Sequence, residues 1–122
     1  MSALAALAYA AAGLIRGASG VLQDPALAPG ERTARAFAAA ARSRPDLASL
    51  CVAPPVAAGR ARLDAIRLEL RLRYLLYPLP VRQSTEAGPL DAIIAPTGSR
   101  SAGRRLALRT SAGDLLLPDP RR

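Results

Sequence analysis

The chain has 122 residues, and more than half are alanine, arginine, proline or glycine, with 28, 17, 11 and 9 residues respectively. Histidine, lysine, asparagine and tryptophan are absent, so the net charge of +8 rests on arginine alone. Without histidine, the chain has no imidazole base, no Ser–His or Cys–His nucleophile pair and no His-ligated metal. Because Cys51 is the only cysteine, an intrachain disulfide and a thiolate metal cluster are excluded too. We therefore expect neither a metal nor a cofactor.

The length fits a single domain with a thin core. Leu, Ile, Val and Phe together supply 29 residues, about 24% of the chain, which is above the level typical of disordered proteins. The charge is diffuse: residues 31–60 and 61–83 each carry net +3, and residues 84–122 carry net +2. A nucleic-acid-binding domain usually concentrates its charge on one face or element. We therefore attribute the arginines mainly to a GC-rich bacterial genome and consider a nucleic-acid partner disfavoured.

An uncharged, alanine-rich run opens the chain and ends at Arg16. Its apolar residues recur at helical spacing, but about 20 apolar residues are needed to span a bilayer. Three interpretations of residues 1–16 stay open. The run is the end of a membrane helix whose start lies upstream, a weak membrane anchor, or an alanine-rich helix packed on the domain.

The next segments indicate a linker, a helix and a strand. Residues 17–30 are rich in proline and glycine, which break regular structure, so we predict a linker. Residues 31–43 carry an apolar stripe at helical spacing and predict a helix, which Pro45 ends. The apolar run 47–53, followed by two prolines, is typical of a buried strand.

Residues 57–77 fit either a strand or a helix. Apolar and charged residues alternate from Ile66 to Tyr74, as in a strand, yet five apolar residues also share one helical face: Leu63, Ile66, Leu70, Tyr74 and Tyr77. The abundance of Ala, Leu, Arg and Glu favours the helix. Glu69 precedes Arg73 by four residues, the better orientation for a helical ion pair. We predict a helix ending at Tyr77, because Pro78 cannot continue it.

The C-terminal third predicts short strands. They cover residues 79–82, 90–95, 106–110 and 114–117, and the last two flank a glycine-bearing turn of hairpin length. A strand–helix–strand unit normally forms a parallel crossover. We therefore predict an α/β domain over residues 31–117, with a small sheet of three to five strands and two or three helices. Residues 118–122 are expected to form a frayed tail.

The loop after the strand at residues 90–95 is the most suggestive candidate for ligand binding. Gly98 and Gly103 have the spacing of a phosphate-binding loop, but arginines replace its lysine and its Ser or Thr, and a strand follows instead of a helix. A nucleotide-hydrolase motif is therefore excluded. Two interpretations remain: a solvated loop, or an anion or lipid-headgroup contact through Ser99, Arg100, Ser101, Arg104 and Arg105.

The remaining reactive groups indicate structural roles. Asp64 and Glu69 do not converge on a helix, and Asp91 and Asp114 fall at strand edges or turns, so no general acid–base pair is indicated. Cys51 lies in an apolar run and is expected to be a buried structural thiol. The rings of Tyr74 and Tyr77 are expected to pack at the edge of the core with their hydroxyls near water. On a bilayer they would lie at headgroup level.

One short segment carries a resemblance. Arg73-Tyr74-Leu75-Leu76-Tyr77-Pro78, followed by Val81, resembles a segment of extracytoplasmic domains in uncharacterised bacterial membrane-anchored proteins associated with polyprenol-dependent glycosyltransferases. A later strand of those domains resembles residues 91–94, and the likeness covers roughly residues 45–117. The resemblance implies a domain that follows a membrane helix. It assigns no catalytic residue.

Taken together, these observations predict a non-catalytic accessory or interaction domain at the bacterial cell envelope, with a membrane or a membrane protein as its partner. Two alternatives stay open. One is a soluble arginine-rich module that binds nucleic acid or another polyanion, and the other is an enzyme that works through carboxylates.

Overall fold

The computed structural model describes residues 20–23, 25–54 and 59–119. Two helices, α1 (Pro29–Arg42) and α2 (Arg60–Leu76), accompany five strands: β1 (Ser49–Val52), β2 (Val81–Gln83), β3 (Asp91–Ala95), β4 (Arg104–Thr110) and β5 (Gly113–Pro118). Residues 20–22 are also helical. The predicted α/β class and the size of the sheet are confirmed. The hydrophobic helix predicted over residues 1–16 lies outside the described residues.

The five strands form one mixed sheet in the order β2-β1-β3-β5-β4. β1 is parallel to both β2 and β3, whereas β5 is antiparallel to β3 and β4. Helix α2 lies between β1 and β2 in the chain, so this strand–helix–strand unit joins parallel strands as predicted. The predicted hairpin is β4–β5, in which Thr110 is paired with Gly113.

Helix α1 begins two residues earlier than predicted. Pro29 is at the start of the helix and Gly30 follows it, so both lie inside α1 and not in the expected linker. A proline breaks a helix interior but suits the first turn, where its missing N–H has no helical acceptor and its fixed φ is already helical. Arg32 reinforces this start, since its backbone N–H donates to the oxygen of Ala28.

Helix α2 confirms the helical interpretation over residues 60–76 and ends one residue before the predicted Tyr77, whereas residues 57 and 58 lie outside the described residues. Its buried side differs from the predicted one. Leu72 and Leu76 lie in the core, and Leu68 and Leu75 pack partly buried against it. The five apolar residues that share the predicted helical face point instead to solvent: Leu63, Ile66, Leu70, Tyr74 and Tyr77. Helix α2 therefore has two apolar sides, and the described residues cover only one of them.

The core lies between the two helices and one face of the sheet. Phe37 of α1 is fully buried and contacts a cluster that is otherwise built from aliphatic side chains. Apart from Phe37, the core residues of α1 are alanines, each of which buries little area: Ala36, Ala38, Ala40 and Ala41. The only phenylalanine of the chain is therefore the largest single contribution of α1 to the core.

Strand β5 is buried along its whole length. It extends to Pro118, which was expected to begin a frayed tail. Pro118 instead pairs with Arg104 across the hairpin, and its carbonyl accepts a hydrogen bond from Arg44. The next residue, Asp119, donates its backbone N–H to the oxygen of Gly103 at 2.8 Å. A proline is tolerated here because it ends the strand.

Replacing Phe37 with alanine is expected to lower the free energy of unfolding by about 3–5 kcal/mol, since it removes the largest buried side chain and leaves a cavity. The conservative change Phe37→Leu is expected to cost only about 1 kcal/mol. Urea denaturation followed by circular dichroism measures both values. Equal, small losses in the two variants would contradict this account of the core.

Gly113 allows a close approach between β5 and β3. Its φ is 140°, and a Cβ there would lie 2.5 Å from the backbone oxygen of Ala95. Gly113→Ala is therefore expected to cost about 2 kcal/mol or more. Gly103 has a φ of 72° but open space around it, so Gly103→Ala serves as the matched control, with an expected cost of about 1 kcal/mol. A denaturant midpoint no lower for Gly113→Ala than for Gly103→Ala would refute the prediction.

Candidate functional site

The loop predicted to bind an anion lines an open depression. Ser99, Arg100, Ser101 and Arg104 lie around it, together with residues of the β4–β5 hairpin. Arg105 is exposed and lies 3.9 Å from the carboxylate of Asp119. The structure thus brings four of the five predicted residues to one place.

Arg104 is committed to internal acceptors. Its Nε donates to the backbone oxygen of Asp91 at 2.9 Å, its Nη1 to Ser101 Oγ at 3.0 Å, and its Nη2 to the oxygen of Gly88. This guanidinium joins the start of β4 to the start of β3 and to the loop before it. The role of Arg104 is structural, and the sequence alone does not predict it.

The carboxylate of Asp114 lines the same depression. Asp114 is only 1% exposed and receives hydrogen bonds from Arg109 Nε at 3.0 Å and Nη2 at 3.1 Å. The backbone N–H of Gly98 also donates to it at 2.9 Å. The hydrogen bonds from Arg109 and then from Gly98 hold the pKa of Asp114 below its usual range. Asp114 is negatively charged and already accepts hydrogen bonds from the Gly98 N–H and from Arg109. It therefore disfavours the binding of an external anion in this depression. Anion binding at the loop stays a prediction that rests on Arg100 and Arg105.

A second buried carboxylate lies at the amino ends of β1 and β3. Asp91 accepts hydrogen bonds from Ser49 Oγ at 2.7 Å, the Gly88 N–H at 2.7 Å and Arg82 Nη2 at 3.1 Å. Burial by itself would raise the pKa of Asp91, but these three hydrogen bonds outweigh it and hold the pKa below the ordinary value. The site is fully satisfied, and it fixes the loop that precedes β3.

The polar side-chain groups of the described interior are hydrogen-bonded within the domain. In residues 20–23, 25–54 and 59–119, every buried side-chain nitrogen or oxygen has a hydrogen-bond partner. The same residues hold no group of three or more acidic, Cys or His side chains placed to bind a metal. Cys51 is buried as predicted, with its Sγ 3.9 Å from the oxygen of Glu86. The buried polar side chains of the described residues are therefore engaged with other groups of the domain.

The unusual surface of the domain is the outward side of α2. We define the outer face as five exposed apolar and aromatic residues, four in α2 and the last directly after it: Leu63, Ile66, Leu70, Tyr74 and Tyr77. At about 100° per residue, their spacing places them within an arc of roughly 80°, opposite the buried Leu72. Leu70 is 56% exposed, Tyr74 74% and Tyr77 83%. The expectation that the two tyrosine rings pack at the edge of the core is wrong, because both residues are largely exposed.

Arginines flank the outer face on both sides. On the helical wheel, Arg60, Arg67 and Arg71 follow one margin of the arc. Arg62 and Arg73 follow the other. The guanidinium of Arg71 lies 5.0 Å from the centre of the Tyr74 ring, within the range of a cation–π contact.

Two of these five arginines have partners within the domain. Arg71 forms a two-pronged contact with Glu31 of α1, with Nε–Oε2 and Nη2–Oε1 distances of 2.8 and 2.7 Å. Arg73 forms the predicted pair with Glu69 at 2.8 Å and donates to the backbone oxygen of Val81. These contacts attach the margins of α2 to α1 and to β2.

Comparison of the chain with protein-family models, with curated proteins and with solved structures finds no match. The resemblance to membrane-anchored extracytoplasmic domains therefore stays a prediction. Among the residues that the structure describes, no helix is both long enough and apolar enough to cross a bilayer.

The Glu31–Arg71 contact predicts a specific pH dependence. The hydrogen bond from Arg71, aided by Arg35, lowers the pKa of Glu31 from 4.5 to about 2. Because the folded pKa is the lower one, the pair stabilises the fold above pH 4.5, and this contribution is lost as the pH falls towards 2. Over that window, the stability of Glu31→Gln is expected to change less with pH than that of the wild type.

The matched control is Glu86→Gln, which removes an exposed carboxylate of the loop before β3. Urea unfolding at several pH values between about 2 and 5 measures the slopes. Glu86→Gln is expected to keep the wild-type slope. A wild-type slope in Glu31→Gln would show that the contact does not stabilise the folded state.

Proposed function

We propose that this chain is a non-catalytic interaction domain of the bacterial cell envelope that docks on a lipid bilayer through the outer face of α2. The observation that carries the proposal is the exposed stripe of leucine, isoleucine and tyrosine with arginines along both margins. A helix of this kind lies in the plane of a membrane interface, with its apolar side about 5–10 Å deep.

The individual residues of the outer face suit an interface. Leu63, Ile66 and Leu70 supply aliphatic side chains that gain free energy when they leave water. Tyr74 and Tyr77 combine an apolar ring with a hydroxyl, the combination enriched at headgroup level. The arginines at the margins can keep their charge in water while their methylene groups cover apolar surface.

The same charges oppose pairing between two copies of α2. In a symmetric helix pair through the outer face, the arginine-lined margins of one copy would meet those of the other. Like charges facing each other across an interface cost free energy and suppress that partner. Residues 60–76 carry five arginines and only two acids. A bilayer surface accommodates this arrangement without placing arginines against one another.

Few aliphatic side chains are involved, so docking through α2 alone is expected to be weak. Stable membrane anchoring usually needs two membrane-binding signals. The uncharged apolar run at residues 1–15 is a second such signal in the sequence. The proposal therefore combines the predicted N-terminal anchor with a docking face that holds the domain against the surface.

Flotation of the full chain with phospholipid vesicles tests the docking face. The double change Leu70→Ser and Tyr74→Ser is expected to lower the partition constant for vesicles at least tenfold, because about 1.4 kcal/mol of lost burial is a factor of ten. The matched control is Leu106→Ser on β4. Leu106 is 48% exposed, comparable with Leu70, but lies outside the outer face. Equal binding by the double variant and the control would refute the proposal.

The same proteins test the polyanion alternative. A module that recognises polyanions would bind a DNA duplex with an affinity that falls steeply with salt, and it would not need Leu70 or Tyr74. Strong DNA binding by both the wild type and the double variant, with no vesicle binding, would favour that alternative and overturn ours. The carboxylate-enzyme alternative gains no support from Asp91 and Asp114, since an arginine holds each of them.

A further inference from the structure

We infer that the outer face of α2 selects anionic phospholipids, and that Arg60, Arg62 and Arg67 bind their headgroup phosphates. This inference rests on the proposed docking at a bilayer and adds the class of lipid that the face recognises.

These three arginines are available for an external ligand. Most arginines of the described residues donate to a carboxylate or to a backbone oxygen of the domain. Arg60, Arg62, Arg67 and Arg100 form no hydrogen bond or ion pair with residues 20–23, 25–54 and 59–119. Three of these four lie on the first two turns of α2. Unpaired cations are thus concentrated at one end of the docking surface.

The placement of these charges suits a planar surface. Arg60 and Arg67 lie on one margin of the outer face and Arg62 on the other, so a surface that covers Leu63 meets guanidinium groups on both sides. Asp64 is the one acidic residue near this end of the helix surface. At the opposite end of the face, Tyr74 and Tyr77 supply aromatic rings, and Arg71 and Arg73 are already engaged with Glu31 and Glu69.

The chemistry of guanidinium favours phosphate. Its planar fork of N–H donors matches the oxygens of a phosphodiester, and the charge is retained at any physiological pH. An arginine near an anionic membrane surface contributes roughly a fivefold gain in binding. A zwitterionic headgroup offers a phosphate but no net negative charge, so this attraction is largely missing there. The three arginines therefore predict discrimination by surface charge.

Vesicle flotation of the full chain tests the inference with two lipid compositions: phosphatidylcholine alone, and phosphatidylcholine mixed with phosphatidylglycerol. The wild type is expected to bind the anionic vesicles at least tenfold more strongly, and added salt should reduce the difference. The triple change of Arg60, Arg62 and Arg67 to Gln is expected to lower binding to anionic vesicles about 100-fold. It should leave binding to phosphatidylcholine nearly unchanged.

Single substitutions separate a local site from the diffuse charge of the chain. Arg67→Gln and Arg100→Gln each remove one unpaired arginine, but Arg100 lies in the loop between β3 and β4. Only Arg67→Gln is expected to weaken binding to anionic vesicles, about fivefold. Equal losses in both variants would assign the effect to net charge and overturn the inference.

The remaining outcomes distinguish the two proposals. Strong binding of the wild type to both kinds of vesicle would overturn lipid selection while leaving bilayer docking intact. An absence of binding to either kind would overturn both.

Competition with inorganic phosphate at millimolar concentration identifies the source of the phosphate. Complete release from the vesicles would indicate a site for the free ion and refute a headgroup surface.

Discussion

The outer face of α2 depends on how this helix packs against α1, and the ion pair between Glu31 and Arg71 is the polar part of that contact. Both sides of this helix carry leucines, so apolar burial by itself does not distinguish Leu72 and Leu76 from Leu63 and Leu70 as core residues. The two-pronged contact fixes one margin of α2 to α1. The bond of Arg73 to a β2 carbonyl fixes the other margin, and Glu69 of the same helix orients Arg73. These polar contacts and the burial of Leu72 and Leu76 together set the rotation of α2, and hence the outer face.

A thin core explains why so many arginines hold the fold together. One phenylalanine and several alanines give α1 a limited apolar contribution. The arginines then connect parts of the chain that are far apart in sequence. Arg44 donates to the oxygen of Pro118, 74 positions away, and Arg71 pairs with Glu31, 40 positions away. Buried carboxylates such as Asp91 are tolerated because each is paired and hydrogen-bonded. The arginine content is thus part of the architecture as well as a mark of base composition.

Local signals predicted the order of elements but not the contacts between them. Helix formers and the Glu69–Arg73 spacing identified α2, and the glycine that begins β5 indicated the hairpin. The start of α1 at Pro29 was missed because proline was interpreted only as a breaker. The outward orientation of Tyr74 could not be predicted, since it depends on Glu31, some 40 residues away. The contact between Asp91 and Ser49 likewise joins residues 42 positions apart, and only the sheet register brings them together.

The position of β4 at the end of the strand order has a consequence for behaviour at high concentration. A seven-residue edge strand can add a strand from another molecule, which begins aggregation. This edge carries Arg104, Arg105 and Arg109, and its pairing with β5 is irregular between Leu106 and Leu108. Charge repulsion and a distorted ladder both disfavour continuation of the sheet. These two features of β4 therefore disfavour aggregation through this edge of the sheet.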